Sequence, residues 1–312
     1  MTNRRQFFLS SAATAGLLSF HSIVSAQEEP TTLPARFALN TSTISGQKLP
    51  IEEQIRVASE AGYDGIEPWI RDLQAYVSAG GKLVDLKKRI DDAGLSVASA
   101  IGFANWISDD DSERRKGLET AKHDMDLVSG IGGKLIAAPP VGAHRGGGPS
   151  PPLETIAERY RQLCEVGQQA GVAPQLELWG FSPTLSKLGE LAYVATEAGH
   201  PLACVLPDFY HIYKGGSDFA GLSMIESSKM HCFHINDYPA DPPRESISDQ
   251  HRVFPGDGVC PLPSIIRSLV DNGFRGTFSL ELFNRDYWKR DALAVAREGL
   301  EKSRAVVANA LA

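Results

Sequence analysis

One phrase recurs along the chain: an amphipathic helix, a small residue or Asn, a Gly, then a short apolar run. Ile51, Ile55, Ala58 and Ala61 share a helical face, and Gly62 leads into Gly65-Ile66-Glu67. Leu83, Leu86, Ile90 and Ala93 do the same before Gly94 and Leu95-Ser96-Val97-Ala98. The phrase returns before Leu135-Ile136-Ala137, Gln175-Leu176-Glu177-Leu178, the run Leu202 to Leu206, and Thr277-Phe278-Ser279-Leu280-Glu281. Phe37-Ala38-Leu39 opens the series, and Met230-His231-Cys232-Phe233-His234 follows a short helix around Phe219 to Ile225. Gly is the residue that stops a helix in the left-handed conformation, so the phrase reads as helix, stop, strand. The strands are continuous apolar runs rather than alternating ones, as in a parallel sheet covered by helices.

Eight such βα units within residues 35–312 match an α/β fold of one (β/α)8 TIM barrel. A doubly wound sheet is the rival, but no Gly-x-Gly-x-x-Gly opens the first unit. Composition agrees with a large folded domain: 312 residues, 42% of them hydrophobic. The formal charge of −7, with no basic run, argues against a nucleic-acid partner, because phosphate contacts need clustered Lys and Arg. No segment beyond the N-terminus approaches the ~18 apolar residues of a membrane span. The sequence does not set the oligomeric state, and a homo-oligomer is compatible with it.

Residues 1–26 read as a twin-arginine signal peptide. Arg4-Arg5-Gln6-Phe7-Phe8-Leu9 is followed by a mild apolar stretch and the small-residue end Val24-Ser25-Ala26, with residues 27–34 as linker. Cleavage removes two arginines and no acid, moving the charge from −7 to −9. The expected location is periplasmic, and the route carries proteins already folded, so a metal can be loaded before export. Cys164, Cys204, Cys232 and Cys260 show no CxxC or paired zinc spacing and read as buried thiols. Cys204 and Cys232 are the one pair on neighbouring expected strands.

In a TIM barrel, chemistry belongs to the carboxyl ends of the strands. Four strands of the second half end in polar residues that apolar packing does not explain: Glu177, Asp208, His234 and Glu281. If they point inward they converge, with Gln175 and Cys232 on the same faces and His231 outside. Three carboxylates with no Lys or Arg on the same strand ends repel one another. A divalent cation resolves this, and two Glu, one Asp and one His form a hard-leaning set for Mn²⁺, Co²⁺, Mg²⁺ or Zn²⁺.

These residues, in this order, resemble the xylose-isomerase-like TIM barrels of the sugar-phosphate isomerase/epimerase group. That group includes D-tagatose 3-epimerase, hydroxypyruvate isomerases and 3-dehydroshikimate dehydratases. The resemblance runs from about Ala35 to the C-terminus. Its carriers are Gly62-Tyr63-Asp64-Gly65-Ile66-Glu67, Leu176-Glu177-Leu178, Asp208-Phe209-Tyr210-His211, His234-Ile235-Asn236-Asp237, Pro255-Gly256-Asp257-Gly258 and Ser279-Leu280-Glu281-Leu282. It implies that Glu177, Asp208, His234 and Glu281 bind one divalent metal. It also implies that His211 touches substrate oxygens, and that Glu177 and Glu281 double as the acid/base pair.

The implied chemistry is proton transfer beside a carbonyl through an enediolate. Return of the proton to the same carbon gives an epimerase, and return to the neighbouring carbon an isomerase. Loss of a leaving group gives a lyase or dehydratase, for example on 3-keto-glycosides. A non-catalytic carbohydrate-binding barrel is the reading from another class. The chain departs from the sugar epimerases at Ala240, where they carry an Arg six residues after the His ligand. Arg244, in the Pro-rich insertion, either substitutes as a substrate contact or lies on the surface. Glu67 is a candidate pocket residue. Trp179, with Trp106, Phe209 and Trp288, is a candidate sugar-stacking wall. His144-Arg145 before Gly146-Gly147-Gly148 reads as a flexible loop or an anion site, and His123 and His200 as structural.

Overall fold

The computed structural model describes residues 35–145 and 150–312; the leader, the linker and the Gly146–Gly148 run lie outside the described residues. Eight parallel strands are present: β1 (Arg36–Asn40), β2 (Gly65–Glu67), β3 (Ser96–Val97), β4 (Leu135–Ala138), β5 (Ala173–Glu177), β6 (Cys204–Leu206), β7 (Cys232–Ile235) and β8 (Thr277–Leu280). They pair as two arcs, β3-β2-β1-β8-β7 and β4-β5-β6. Two backbone hydrogen bonds join the arcs. His234 N–H donates to the Pro207 carbonyl at 2.9 Å, and Ala137 N–H donates to the Ala100 carbonyl at 2.8 Å. The ring closes as a TIM barrel, as the repeated phrase implies.

The surrounding helices are α1 (Ile51–Ala61), α2 (Ile70–Ser78), α3 (Leu83–Asp92), α4 (Asp111–Gly130), α5 (Leu153–Ala170), α6 (Leu188–Glu197), α7 (Phe209–Gly215), α8 (Leu262–Asp271) and α9 (Ala292–Leu311). Gly62 and Gly171 close α1 and α5 at φ 92° and 70°, the left-handed stop expected of them. The short helix expected around Phe219 to Ile225 is a 3-10 helix, Phe219–Met224, and the α-helix α7 directly follows β6. Its N-cap is Asp208, so part of the strand-end motif is a helix start.

Most of the core lies between strands and helices. Ile101, Ala137, Leu206 and Cys232 form a small apolar cluster of their own, separate from the main core, and a polar layer lies at the carboxyl ends of the strands. Register sets that polar layer. Asn40 pairs with Glu67 across β1–β2, and His234 pairs with Ser279 across β7–β8, so their side chains share levels inside the ring. Gln175 and Cys232 are fully buried on the inward face and His231 is exposed, as strand alternation requires. All four cysteines are buried free thiols, Cys204 and Cys232 included.

Candidate metal and active site

His234, at 0% exposure, is the centre of the polar layer. Its Nδ1 faces Glu281 Oε2 at 3.2 Å, Asp208 Oδ2 at 3.6 Å and Glu177 Oε1 at 3.9 Å. That Nδ1 is buried and has no hydrogen-bond partner. Leaving such an atom unmet costs on the order of 1–3 kcal/mol. The opposite ring nitrogen, Nε2, meets Glu67 Oε2 at 3.2 Å. The ring is thus oriented from below and offers a free nitrogen to three carboxylates.

Each partner is held by a local device. Asp208 caps α7, its Oδ1 accepting from His211 N–H at 2.7 Å, which explains the Asp-x-x-His spacing. Its Oδ2 accepts from Asn236 Nδ2 at 3.0 Å, while Asn236 Oδ1 accepts from Tyr210 N–H at 2.9 Å. Asn40 donates to Glu67 Oε2 at 2.9 Å and to Glu281 Oε1 at 3.1 Å, and its Oδ1 accepts from Trp69 Nε1 at 3.0 Å. Ser279 Oγ adds a 2.6 Å donation to Glu67 Oε2.

Glu67 therefore lies beneath His234 and is absent from the cavity wall, which corrects its expected place in the substrate pocket. It acts on the site through the imidazole, the arrangement that fixes ring orientation in metal-binding histidines. Ligand atoms of Glu67, Cys232 and His234 also approach within 4.8 Å of one another. Glu67 Oε2 is already taken by these donors, and burial pushes the Cys232 thiol far up. Glu67 Oε1, by contrast, is buried without a hydrogen-bond partner.

The counter-charge that the strand ends lack comes from a loop. Arg252 is buried at 1% exposure, and its Nη1 donates to Asp208 Oδ2 at 2.9 Å and to Glu281 Oε2 at 2.8 Å. Its Nη2 donates to Asp249 Oδ1 at 2.6 Å and to His211 Nε2 at 2.9 Å. The guanidinium lies 4.5 Å from the Tyr210 ring centroid and 5.1 Å from that of Phe283.

Asp237 explains how the long loop after β7 delivers it. Asp237 and Val253 exchange backbone hydrogen bonds at 3.0 and 2.9 Å. The Asp237 carboxylate accepts from the N–H groups of Tyr238, Gly256, Gly258 and Cys260. A Cβ at Gly258 would lie 2.3 Å from Asp237 Oδ1, so the Pro-Gly-Asp-Gly run is what lets the loop wrap that side chain.

Arg244, in contrast, is 49% exposed, pairs with Glu245 at 3.8 Å and does not line the cavity. Of the two readings open for Arg244, the geometry supports the surface one. Arg252 is the arginine that sequence reasoning missed. Its signal is weak: one charge set against the apolar run Val253-Phe254-Pro255.

Above the cluster opens a cavity of about 450 Å³, lined at its floor by Glu177, Glu281, His211 and Arg252. Trp179 and Trp288 line it as expected, but Phe209 and Trp106 are buried in the outer core and do not. The wall is an arc of rings instead. Phe283 meets Trp69 at 6.0 Å, Trp69 meets Phe103 at 5.1 Å, Phe103 meets Trp179 at 6.1 Å, and Trp179 meets Phe181 at 5.1 Å. Strand alternation is the clue to Trp69, two residues beyond Glu67, whereas Phe181 lies in the turn after β5. His144 lies 5.5 Å from Trp179, edge to face.

Burial raises the Glu177 pKa to about 8, with Glu281 and Asp208 adding to it and His234 opposing. Burial works against ionising Asp208 as well, but Arg252, His211 and His234 outweigh it and hold it below the usual carboxylate value. For His234, burial favours the neutral ring, yet Glu281 and Glu67 raise its pKa well above normal. Burial and then Arg252 lower that of His211, consistent with Nε2 accepting from the guanidinium. Glu177, His234 and Glu281 place ligand atoms within 4.8 Å of one another, and Asp208 Oδ2 is beside them. This set suits a hard or borderline divalent cation.

The chain matches the family model for xylose isomerase-like TIM barrels over residues 55–306. Inosose isomerase of Bacillus velezensis is 24% identical over 82% of this chain and 92% of its own length. Fructoselysine 3-epimerase of Escherichia coli O157:H7 is 28% identical over 85% and 96%. A 3-dehydroshikimate dehydratase of Pseudomonas aeruginosa is 26% identical over 84% of this chain but 40% of its own length. Among solved structures, an IolI protein with a bound zinc atom superposes with a TM-score of 0.81 at 20% identity, covering 88% of this chain and 98% of that one. With the closed barrel, its site at the carboxyl ends and a family match across most of the chain, this protein belongs to the xylose isomerase-like TIM barrel family.

Proposed function

We propose that the protein is a metal-dependent isomerase or epimerase of a ketose or keto-sugar. The observation that carries this reading is the buried, unpartnered Nδ1 of His234 facing three carboxylates, two of which, Glu177 and Glu281, also line the cavity. Glu177, Asp208, His234 and Glu281 would hold one divalent cation, Zn²⁺, Mn²⁺, Co²⁺ or Mg²⁺. When bound, the cation supplies Lewis-acid polarisation of a carbonyl.

The chain's own groups do the rest. Glu281, anchored by Asn40 and Arg252, and Glu177, on the far arc of the ring, are placed to remove and return a carbon-bound proton. His211 and Arg252 contact substrate oxygens at the cavity floor, and the aromatic arc limits water. Similarity to inosose isomerase and fructoselysine 3-epimerase supports this reading, and the zinc-bound barrel of the same shape supports the cation.

The test is carbon-bound deuterium from D₂O in a panel of ketoses with Mn²⁺-loaded protein. Glu281→Gln is expected to keep the fold and lower exchange by about 10²–10⁴-fold; a variant that exchanges at the wild-type rate would falsify the role given to Glu281. Elimination is the second reading, favoured by similarity to 3-dehydroshikimate dehydratase. A product that has lost water or an aglycone selects it. Export by the twin-arginine route to the periplasm completes the proposal, resting on Arg4-Arg5 and Val24-Ser25-Ala26. Replacing both arginines by lysine is expected to leave the full-length protein inside the cell on fractionation.

A further inference from the structure

Two demands meet on one oxygen of Asp208. Its Oδ2, 3.6 Å from His234 Nδ1, is the atom it would offer to a cation held by this cluster. The spacing of the cluster suits such a cation. Carboxylate oxygens lie 3.2, 3.6 and 3.9 Å from Nδ1. Four bonds of about 2.0–2.2 Å to one cation set a tetrahedron edge of roughly 3.3–3.6 Å. Yet Asp208 Oδ2 already accepts from Asn236 Nδ2 at 3.0 Å and from Arg252 Nη1 at 2.9 Å. A carboxylate oxygen has two lone-pair sites, and both are taken. Oδ1 is turned away, capping α7 through His211 N–H at 2.7 Å.

Charge and anchoring decide which donor gives way. Asn236 is neutral, fully buried and fixed at its other end, where its Oδ1 accepts from Tyr210 N–H at 2.9 Å. Arg252 is itself a cation, and a second cation on the same oxygen repels it. Its other contacts give it a pivot. Nη2 is tied to Asp249 Oδ1 at 2.6 Å and to His211 Nε2 at 2.9 Å, and the guanidinium lies over the Tyr210 ring.

The second N–H of Nη1 donates to Glu281 Oε2 at 2.8 Å. Among the described residues that oxygen accepts no other hydrogen bond, so it can serve Arg252 and a cation together. Arg252 Nε is buried without a partner, so this pose leaves one of the five guanidinium donors unmet.

We propose that Arg252 is a displaceable donor that sets the order in which the site assembles. A cation taken up by Glu177, Asp208, His234 and Glu281 breaks the one hydrogen bond from Arg252 Nη1 to Asp208 Oδ2, while the bond to Glu281 holds. Arg252 lines the cavity floor beside Glu281 and His211, so the freed N–H turns to a substrate oxygen there. Substrate finds this contact only after the cation is in place. The inference rests on the proposed function for the presence of the cation.

Zinc alone is the probe. Chelator competition at one pH compares the wild-type protein with Arg252→Met. Removing a displaceable charge is expected to tighten Zn²⁺ binding by about tenfold or more, because uptake no longer breaks an ion pair or faces a neighbouring cation. A residue that only supported the ligands would have the opposite sign, weakening binding by about 10–100-fold when removed. The second measurement needs no variant, so it stands even if Arg252→Met fails to fold. In a crystal structure of the zinc-loaded wild-type protein, Nη1 is expected beyond about 3.5 Å from Asp208 Oδ2 and still within hydrogen-bond distance of Glu281 Oε2.

Weaker or unchanged zinc affinity in Arg252→Met overturns the proposal. So does a zinc-loaded structure in which Nη1 still donates to Asp208. Both results leave the proposed function standing. Wild-type protein that takes up neither Zn²⁺ nor Mn²⁺ overturns the cation of that function, and this inference with it.

Discussion

Strands β5 to β8 deliver Glu177, Asp208, His234 and Glu281 to the barrel mouth, whereas β1 to β4 deliver Asn40, Glu67 and Ser99, with Trp69 and Phe103 just beyond. The second half carries the groups that face one another across His234 Nδ1. The first half supports them: Asn40 and Glu67 hold Glu281 and His234 from the side and from below. Ser99 accepts from Gln175 at 2.9 Å and fills the interior.

The halves also differ in how they treat a buried acid. Asp208 and Glu281 share Arg252, while Asp124 on α4, packed against the first half, has a single amide donor, Gln74, at 3.2 Å. In the second half Arg252 thus compensates two of the three acids around His234, while Glu177 keeps a pKa raised to about 8.

The contrast is broken most severely at Arg252. Arg252→Met removes the cation between two buried carboxylates, and metal-free protein is expected to lose about 3–5 kcal/mol, read by urea unfolding. Arg244→Met, on the surface, is the control and should stay within about 0.5 kcal/mol. Equal effects from the two would show that the Arg252 contacts do not compensate the acids.

Glu67→Gln tests the support from the first half. It retains a hydrogen-bonding side chain but removes the charge that orients His234. Metal affinity by competition with a chelator is expected to weaken by about 10–100-fold. Unchanged affinity would confine Glu67 to packing.

Asp124→Asn is the smallest and has the opposite sign. Burial raises Asp124 to about 6, so folded protein holds a proton that the unfolded chain has released, and stability is lost as pH rises through the window from about 4 to 6. The variant removes that penalty. It should be more stable by about 1 kcal/mol at pH 7 and no more stable below about pH 4. A gain that is independent of pH would point to packing instead.

Much of this was legible without coordinates because the signals are local. The helix-stop glycines, the apolar runs and the polar ends Glu177, Asp208, His234 and Glu281 each read from a window of a few residues. Asn40 obeys the same rule, as the polar end of Phe37-Ala38-Leu39, yet an amide attracts less attention than an acid. Glu67 was visible as a polar end, but its place beneath the imidazole depends on β1–β2 register and on which ring nitrogen faces down. Arg252 was invisible for a different reason. It lies 18 residues beyond His234 and reaches the site only because Asp237 gathers the intervening loop through four backbone donors. Of the four rings expected at the wall, Trp179 and Trp288 line the cavity, while Phe209 and Trp106 turn outward into the core.

Periodicity by itself determined the barrel, since eight repeats of helix, stop and buried strand can hide their apolar faces in few ways, and strand alternation then assigned the inward residues. Which of those residues form the site and which support it was decided only by tertiary structure. Charge compensation and stacking depend on distances between segments that are remote in the chain, and a loop's reach is set by its own hydrogen bonds rather than by its length.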